Sequence, residues 1–319
     1  MVGLAQTPPN LTERKEDVVM AGTHLSGPVF AGGVMLGAGG GVNYGQPVGD
    51  VFHVDADNGS DGGSGESWDD PLLTWTRALA LATDGADDYI IGRGNFGEDI
   101  AITKSKIHLL GLLGGGGRSY LTRINNGGSD STILVQARDV EIANLIAIGN
   151  RDVGKHYPAI ELDGDNEGTR AHVHHCFITM LTPSATKYTN GITITSGDRQ
   201  TIEFCVIDSC MVGVLVDSAV QTTYEIIVRN NLIYACNKGV HLKNLQLSTG
   251  QFGCVVANNI ITGQGAESET NGIDVDASAP GALLVENLIA GYTTPIVNAG
   301  SALSIRNYED TSGGTLINV

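Results

Sequence analysis

Aromatic residues are scarce in this chain: two Trp, nine Tyr and six Phe make up 5% of its 319 residues. Its core must therefore be filled by Val, Ile, Leu and Ala, which suit a narrow, regularly layered interior. Charge is also thin at 17%, and basic residues are outnumbered 18 to 35. A net charge of −17 without any basic cluster excludes direct binding to nucleic acid, whose phosphates would repel it. No apolar run reaches the roughly 18 residues that span a bilayer, so no membrane partner is expected. The five cysteines, Cys176, Cys205, Cys210, Cys236 and Cys254, are odd in number and form no CxxC pair, which argues against a disulfide framework or a zinc site. Charged Glu13, Arg14, Lys15, Glu16 and Asp17 stand where a signal peptide would be apolar, so folding in the cytoplasm of the producing cell is expected. Sustained helical periodicity is nearly missing, whereas glycine is abundant at 44 residues. An all-β chain with many turns follows.

What is present falls into three stretches. Residues 1–50 read as an extended, glycine-rich N-terminal arm, with Gly32, Gly33, Gly37, Gly39, Gly40 and Gly41 around Val34, Met35 and Leu36. Such a segment cannot build a core and would order by docking on partner subunits. Its candidate anchor residues are Leu4, Val18, Val19, Val29, Phe30, Val34, Met35 and Leu36. Residues 51–105 hold a strand at Val51–Asp55, an acidic turn from Asp57 to Gly63, and a helix. That helix is expected to begin at Asp70-Pro71, with Leu72, Trp75, Leu79 and Ala82 at helical spacing and Pro71 in the first turn. Residues 106–319 carry the repeat.

The string Ser67-Trp68, Asp70-Pro71, Thr74, Ala78-Leu79, Gly85, Asp88, Ile90, Gly94, Phe96, Glu98 and Ile100 resembles the N-terminal cap of pectate-lyase-like β-helix proteins. The resemblance covers about fifty residues and implies a short helix plugging the open end of the first coil. It says little about activity, because the fold carries lyases, hydrolases, epimerases and structural virion proteins alike.

Short apolar strands then recur. The position before each large apolar pair reads Gly111, Asn144, Cys176, Cys205, Asn231, Asn259, Asn287 and Asn307, at intervals from about 20 to about 33 residues, one circuit of a solenoid coil. A second series runs Ile133, Ile160, Ile192, Val214, Val240, Ile273 and Ile296, each opening an inside–outside alternation. Two columns with matched variable spacing predict a right-handed parallel β-helix of eight or so coils. Stacked coils superpose like side chains about 4.8 Å apart. Asn at a tight turn tolerates left-handed geometry and bonds to the next coil, and Cys is small enough to substitute for it in the interior. Cys210 and Cys236, each three residues before a glycine, are expected to stack as well.

The second series also defines an outward face. One column reads Glu161, Thr193, Leu215, His241, Asp274; its neighbour reads Asp163, Thr195, Asp217, Lys243, Asp276. Candidate catalytic residues are Asp217, His241, Lys243, Asp274 and Asp276. Asp274 and Asp276, roughly 7 Å apart by strand rise, fall in the range of an inverting glycosidase pair; with Asp217 they would serve as acid, base or calcium ligands, and His241 and Lys243 would hold an acidic sugar. Solvated or subunit-facing polar residues would give the same pattern; the Asn-Thr-Asp, Gly-His-Gly and Arg-Ile-Lys strings of the β-helix enzymes are missing, and the only Asp-Asp pairs, Asp69-Asp70 and Asp87-Asp88, fall in the cap region. His174 and His175 alternate across a strand and so should not share a metal, and no carboxylate partner is evident on that face. No metal and no cofactor are expected. The chain looks like a non-enzymatic phage virion component, a capsid decoration or tail-associated β-helix. It would form a homotrimer held to capsid or tail subunits by its arm. The alternative is a tailspike-like lyase or glycoside hydrolase acting on host surface polysaccharide.

Overall fold

The computed structural model describes residues 29–31, 34–36, 49–113, 121–125, 130–149, 157–164, 170–180, 189–218, 223–245, 247, 252–265, 269–310 and 316–318. The chain divides into two units, Met1–Pro47 and Val48–Val319. In the first, Val29–Ala31 and Val34–Leu36 pair antiparallel, Val29 with Leu36 and Phe30 with Met35. Leu4, Val18 and Val19 lie outside the described residues.

The second unit is a right-handed parallel β-helix. Three sheet faces run its length. Sheet I begins with Val51–Asp55 and Asp88–Gly97 and continues through Ile107–Gly111, Glu141–Ala143, His172–His174, Thr201–Glu203, Ile226–Arg229, Cys254–Ala257 and Leu283–Val285 to Leu303–Ile305. Sheet II shares Asp88–Gly97 and continues through Thr122–Asn125, Ile146–Gly149, Phe177–Met180, Val206–Asp208, Leu232–Tyr234, Ile260–Thr262 and Leu288–Ala290 to Tyr308–Asp310. Sheet III stacks Ile100–Ile102, Ile133–Val135, Ile160–Asp163, Ile192–Asp198, Val212–Asp217, Lys238–Lys243, Asn271–Val275 and Thr294–Asn298. Ile133, Ile160, Ile192, Val214, Val240, Ile273 and Ile296 lie in one register down sheet III.

The interior is built of β-branched and small aliphatic side chains in rows, fully buried from Ile100 to Ile273. The end of the stack is closed by helix α1, Trp75–Leu81, whose Trp75 is fully buried against Phe96. Any Cβ at Gly92 would meet the Trp75 ring at 2.1 Å, so the glycine makes room for the plug. The helix starts later than its apolar spacing suggests. Thr74 is the N-cap, its side chain accepting from Arg77 N, and the Glu98 carboxylate accepts from Trp75 N and Thr76 N. Leu72 instead bridges Val54 in the sheet, and Asp70 accepts from Ser64 N. Asp70 and Pro71 thus belong to the turn before the helix. At the other end, Leu316–Asn318 covers Tyr308–Asp310 as an antiparallel strand.

Sheets I and II meet at a sharp corner in each coil. There one residue takes left-handed backbone geometry: Asn144, His175, Phe204, Asn230, Asn258, Glu286 and Arg306, with φ of 50–62°. The residue after it turns inward. Asn231 Oδ1 accepts from Cys205 N, Asn259 Oδ1 from Asn231 N, Asn287 Oδ1 from Asn259 N and Asn307 Oδ1 from Asn287 N, each at 2.9–3.1 Å. Each Asn amide also donates to a carbonyl of the preceding coil, namely Ile202, Val228, Val256 and Leu284. Cys176 and Cys205 sit in the same row, with Sγ directed at Ile142 and Val173 carbonyls. All five cysteines are buried thiols.

Two assignments to this row are corrected. Ile146 pairs with Phe177 and Ala143 with His174, so Leu145 is the ladder residue of its coil, and Asn144 is the corner residue before it. Gly111 pairs one place past Leu110–Ala143, which also puts it at the corner level. Asn suits both places, since it tolerates left-handed geometry, and spacing alone did not separate them. The apolar strings from Ile142 to Ile146 and from Val173 to Ile178 are accordingly two short strands each, broken at the corner.

Candidate functional site

Outward side chains of sheet III come from strands locked by the inward rows, so their positions follow from register. Glu161 pairs with Thr193, Thr193 with Leu215, Leu215 with His241 and His241 with Asp274. Asp217 pairs with Lys243. The other column shifts: a bulge after Leu162 pairs Asp163 with Ser196 instead of Thr195. Both hydroxyls, Thr195 Oγ1 and Ser196 Oγ, donate to Asp163 Oδ1 at 3.1 Å. Beside it, Glu161 accepts from Ser131 Oγ. Burial pushes the Glu161 carboxyl up, and nearby Asp163 and Asp130 add to the shift.

The five candidate residues separate into two groups. Asp217 accepts from Asn244 Nδ2 and forms an ion pair with Lys243, both at 2.7 Å. Two coils on from Asp217, Asp274 Oδ2 lies 2.6 Å from Lys238 Nζ and 2.8 Å from Asn271 Nδ2. Burial alone would raise the Asp274 carboxyl, yet Lys238 and Asn271 outweigh it and hold the group below its ordinary range. His241 Nε2 is 3.3 Å from Asp276 Oδ1, out of line for a hydrogen bond, and 3.8 Å from Asp274 Oδ2, too far for one. Asp276 is half-buried and the most solvent-accessible side chain of the three. One donor atom from each of His241, Asp274 and Asp276 lies within 4.8 Å of the others. That corrects the strand-rise estimate: the two carboxylates converge, and the pair is too close for the about 6.5–9.5 Å of an inverting glycosidase. Next to them a cavity of about 410 Å³ is lined by Leu215, Asn237, Lys238, His241, Lys243 and Thr270, among others.

A second polar network, on sheet I, escaped the sequence reading. Glu141 accepts from His108 Nδ1 at 2.6 Å and from His174 Nε2 at 2.7 Å. His174 Nδ1 lies 2.8 Å from His175 Nδ1, and His172 Nε2 lies 2.9 Å from Glu203 Oε1. Arg229 Nε donates to Glu203 Oε2 at 2.7 Å, and Tyr89 stacks flat on His108 at 4.1 Å. Burial would raise Glu141, but bonds and charge from His108 and His174 bring it down to about 2. The contact between the two Nδ1 atoms needs one proton between them, so one ring donates and the other accepts. Burial lowers His172 and His175, and His174 lowers both further. The expectation that His174 and His175 face apart is overturned. His175 is a left-handed corner residue (φ 52°), so its ring folds back against its neighbour. The carboxylates missing from the sequence reading are Glu141 and Glu203.

Tyr292 is buried against Gly272, whereas Trp68 stands at the cap edge between His53 and Arg93.

The strand order and the coil-to-coil ladder define a class by architecture alone, the right-handed parallel β-helices. The chain is similar to a pectin methylesterase from Erwinia chrysanthemi, with TM-score 0.47 and 13% identity over 83% of this chain and 84% of that one. It is also similar to the Dettilon tailspike protein, with TM-score 0.44 and 13% identity over 82% of this chain and 53% of that one. The mannuronan C-5 epimerase A-module of Azotobacter vinelandii gives 0.40 and 14% over 82% and 89%. No protein-family profile and no curated protein matches the chain.

Proposed function

We propose that the protein is a structural β-helix of a phage particle, a capsid decoration or tail-associated module. In this reading three copies associate side by side, and residues 1–50 attach them to capsid or tail subunits. The observation that carries the reading is an apolar row on the outer face of sheet II. Val206, Leu232, Ile260, Leu288 and Tyr308 follow one another in register, and Leu232, Ile260, Leu288 and Tyr308 are 40%, 47%, 37% and 40% exposed. A continuous exposed apolar strip of this kind marks an association surface. Its repeat of one residue per coil, about 4.8 Å, is matched by another copy of the same solenoid. The Asn ladder, bonding coil to coil, supplies the stiffness such a module needs.

Light scattering on the full chain tests this. A trimer is expected, and Ile260→Lys with Leu288→Lys should give folded monomers. Removing residues 1–50 should leave a folded trimer that no longer joins particles. A wild-type monomer at tens of micromolar would defeat the trimer assignment.

A second reading is favoured by the cavity beside His241. Lys238 and Lys243 in its wall suit an acidic saccharide, as in a tailspike-like polysaccharide lyase or hydrolase. Depolymerisation of host polysaccharide by the purified chain, lost in Asp274→Ala and Asp276→Ala, would establish it.

A further inference from the structure

His241, Asp274 and Asp276 carry an inference that rests on neither reading above. His241 comes from one coil and the two aspartates from the next. His241 Nε2 is withdrawn from solvent and yet has no aligned hydrogen-bond partner, a costly state for a buried polar atom. It points instead into the gap between two carboxylates, 3.3 Å from Asp276 Oδ1 and 3.8 Å from Asp274 Oδ2. Two ligand atoms each about 2.0–2.1 Å from a tetrahedral ion stand about 3.3 Å apart. The His241–Asp276 edge already has that length, and the other two, 3.8 Å from His241 to Asp274 and within 4.8 Å between the carboxylates, would close further around an ion.

We propose that His241, Asp274 and Asp276 bind one divalent transition-metal ion, clipping two adjacent coils together and leaving a fourth position for water or a ligand. Donor chemistry selects the class of ion. Calcium and magnesium take oxygen ligands in larger numbers, whereas one imidazole with two carboxylates suits zinc and its neighbours. Lys238 and Asn271, both on Asp274 Oδ2, act as the outer contacts that orient a ligating carboxylate. The charges agree: two carboxylates against one ammonium leave a net negative site before the ion arrives. Asp276 is half in solvent, which gives the ion a route in.

Calorimetric titration of the tag-free full chain with zinc chloride tests the proposal, with thermal unfolding as a second readout. Wild type should bind one more ion per chain than Asp276→Asn and His241→Gln, or bind it at least about tenfold more tightly. Zinc should raise the midpoint of wild type and not of the variants. Asp276→Asn changes a half-buried side chain, so it should keep the wild-type circular dichroism and separate loss of binding from loss of fold. Glu225→Gln, a carboxylate paired with Arg199 elsewhere, should bind as wild type does. Equal stoichiometry and affinity in wild type and Asp276→Asn would overturn the site. Calcium binding there as tightly as zinc would overturn the transition-metal assignment.

Discussion

Asn259 shows how much one residue does in this fold. It is 1% exposed, accepts from Asn231 N and Asn231 Nδ2, and donates to the Val228 carbonyl and to Asn287. Asn259→Ala leaves buried donors and acceptors unpaired on both neighbouring coils, and should cost about 2–4 kcal/mol in chemical denaturation. Asn259→Cys should cost less, because Cys176 and Cys205 fill the same row and still reach a carbonyl. Protonation acts at the same scale. His172 and His175 are held below their ordinary range, so their contribution to stability is complete above pH about 6.5 and is lost as pH falls through their folded values. Glu141, down to about 2, contributes above its ordinary value and loses that contribution as pH drops toward 2. Thermal midpoints should therefore fall in two stages on acidification. In a His172→Asn, His175→Asn variant the upper stage should vanish and the lower one remain. An unchanged upper stage would mean that other groups set it.

At the scale of elements, the corners and the glycine stack decide what the strands can do. Gly191, Gly213, Gly239 and Gly272 stack at the start of the sheet III strands. A Cβ at Gly213 would come 2.6 Å from the Gly239 carbonyl and 2.7 Å from Ile233 Cγ2. Gly213→Ala should destabilise by about 1–3 kcal/mol through overpacking, measured by denaturant titration. That stack was half legible, since Cys210 and Cys236 precede these glycines at constant spacing. The inward register of sheet III was legible, because its Ile and Val residues recur without interruption, but the bulge after Leu162 that re-pairs Asp163 with Ser196 was not. The imidazole–carboxylate network was not. Taking Asn144 as the ladder residue puts Glu141 three places before the row, while His172 stands four places before Cys176. In a period-two strand that one-residue slip moves Glu141 to the opposite face. Counted from Leu145, Glu141 and His172 are both four places out, and they share a column.

The whole molecule joins a stiff ladder to an acidic surface with an apolar strip along one side. A net charge of −17 opposes close association at low ionic strength, and apolar burial along sheet II favours it. The proposed trimer should accordingly dissociate less as salt rises from about 10 mM to about 150 mM, where the screening length drops from about 30 Å to about 8 Å. Sedimentation equilibrium at the two salts measures this. Stronger dissociation at high salt would mean that ion pairs hold the subunits instead.

Alternating aliphatics, recurrent Asn and Cys, and glycine spacing by themselves determined the solenoid, its coils and the inward rows of sheet III, because a strand of period two can bury its apolar set in only one register. The tertiary structure decided what outward residues do to one another. Whether Asp274 and Asp276 stand 7 Å apart along a strand or converge on His241 depends on side-chain direction and on Lys238 one coil away. Whether His174 and His175 part or touch depends on a left-handed corner between sheets. Lys238 with Asp274 and Glu141 with His174 are some thirty positions apart in sequence, and only the stacking of coils brings them within reach.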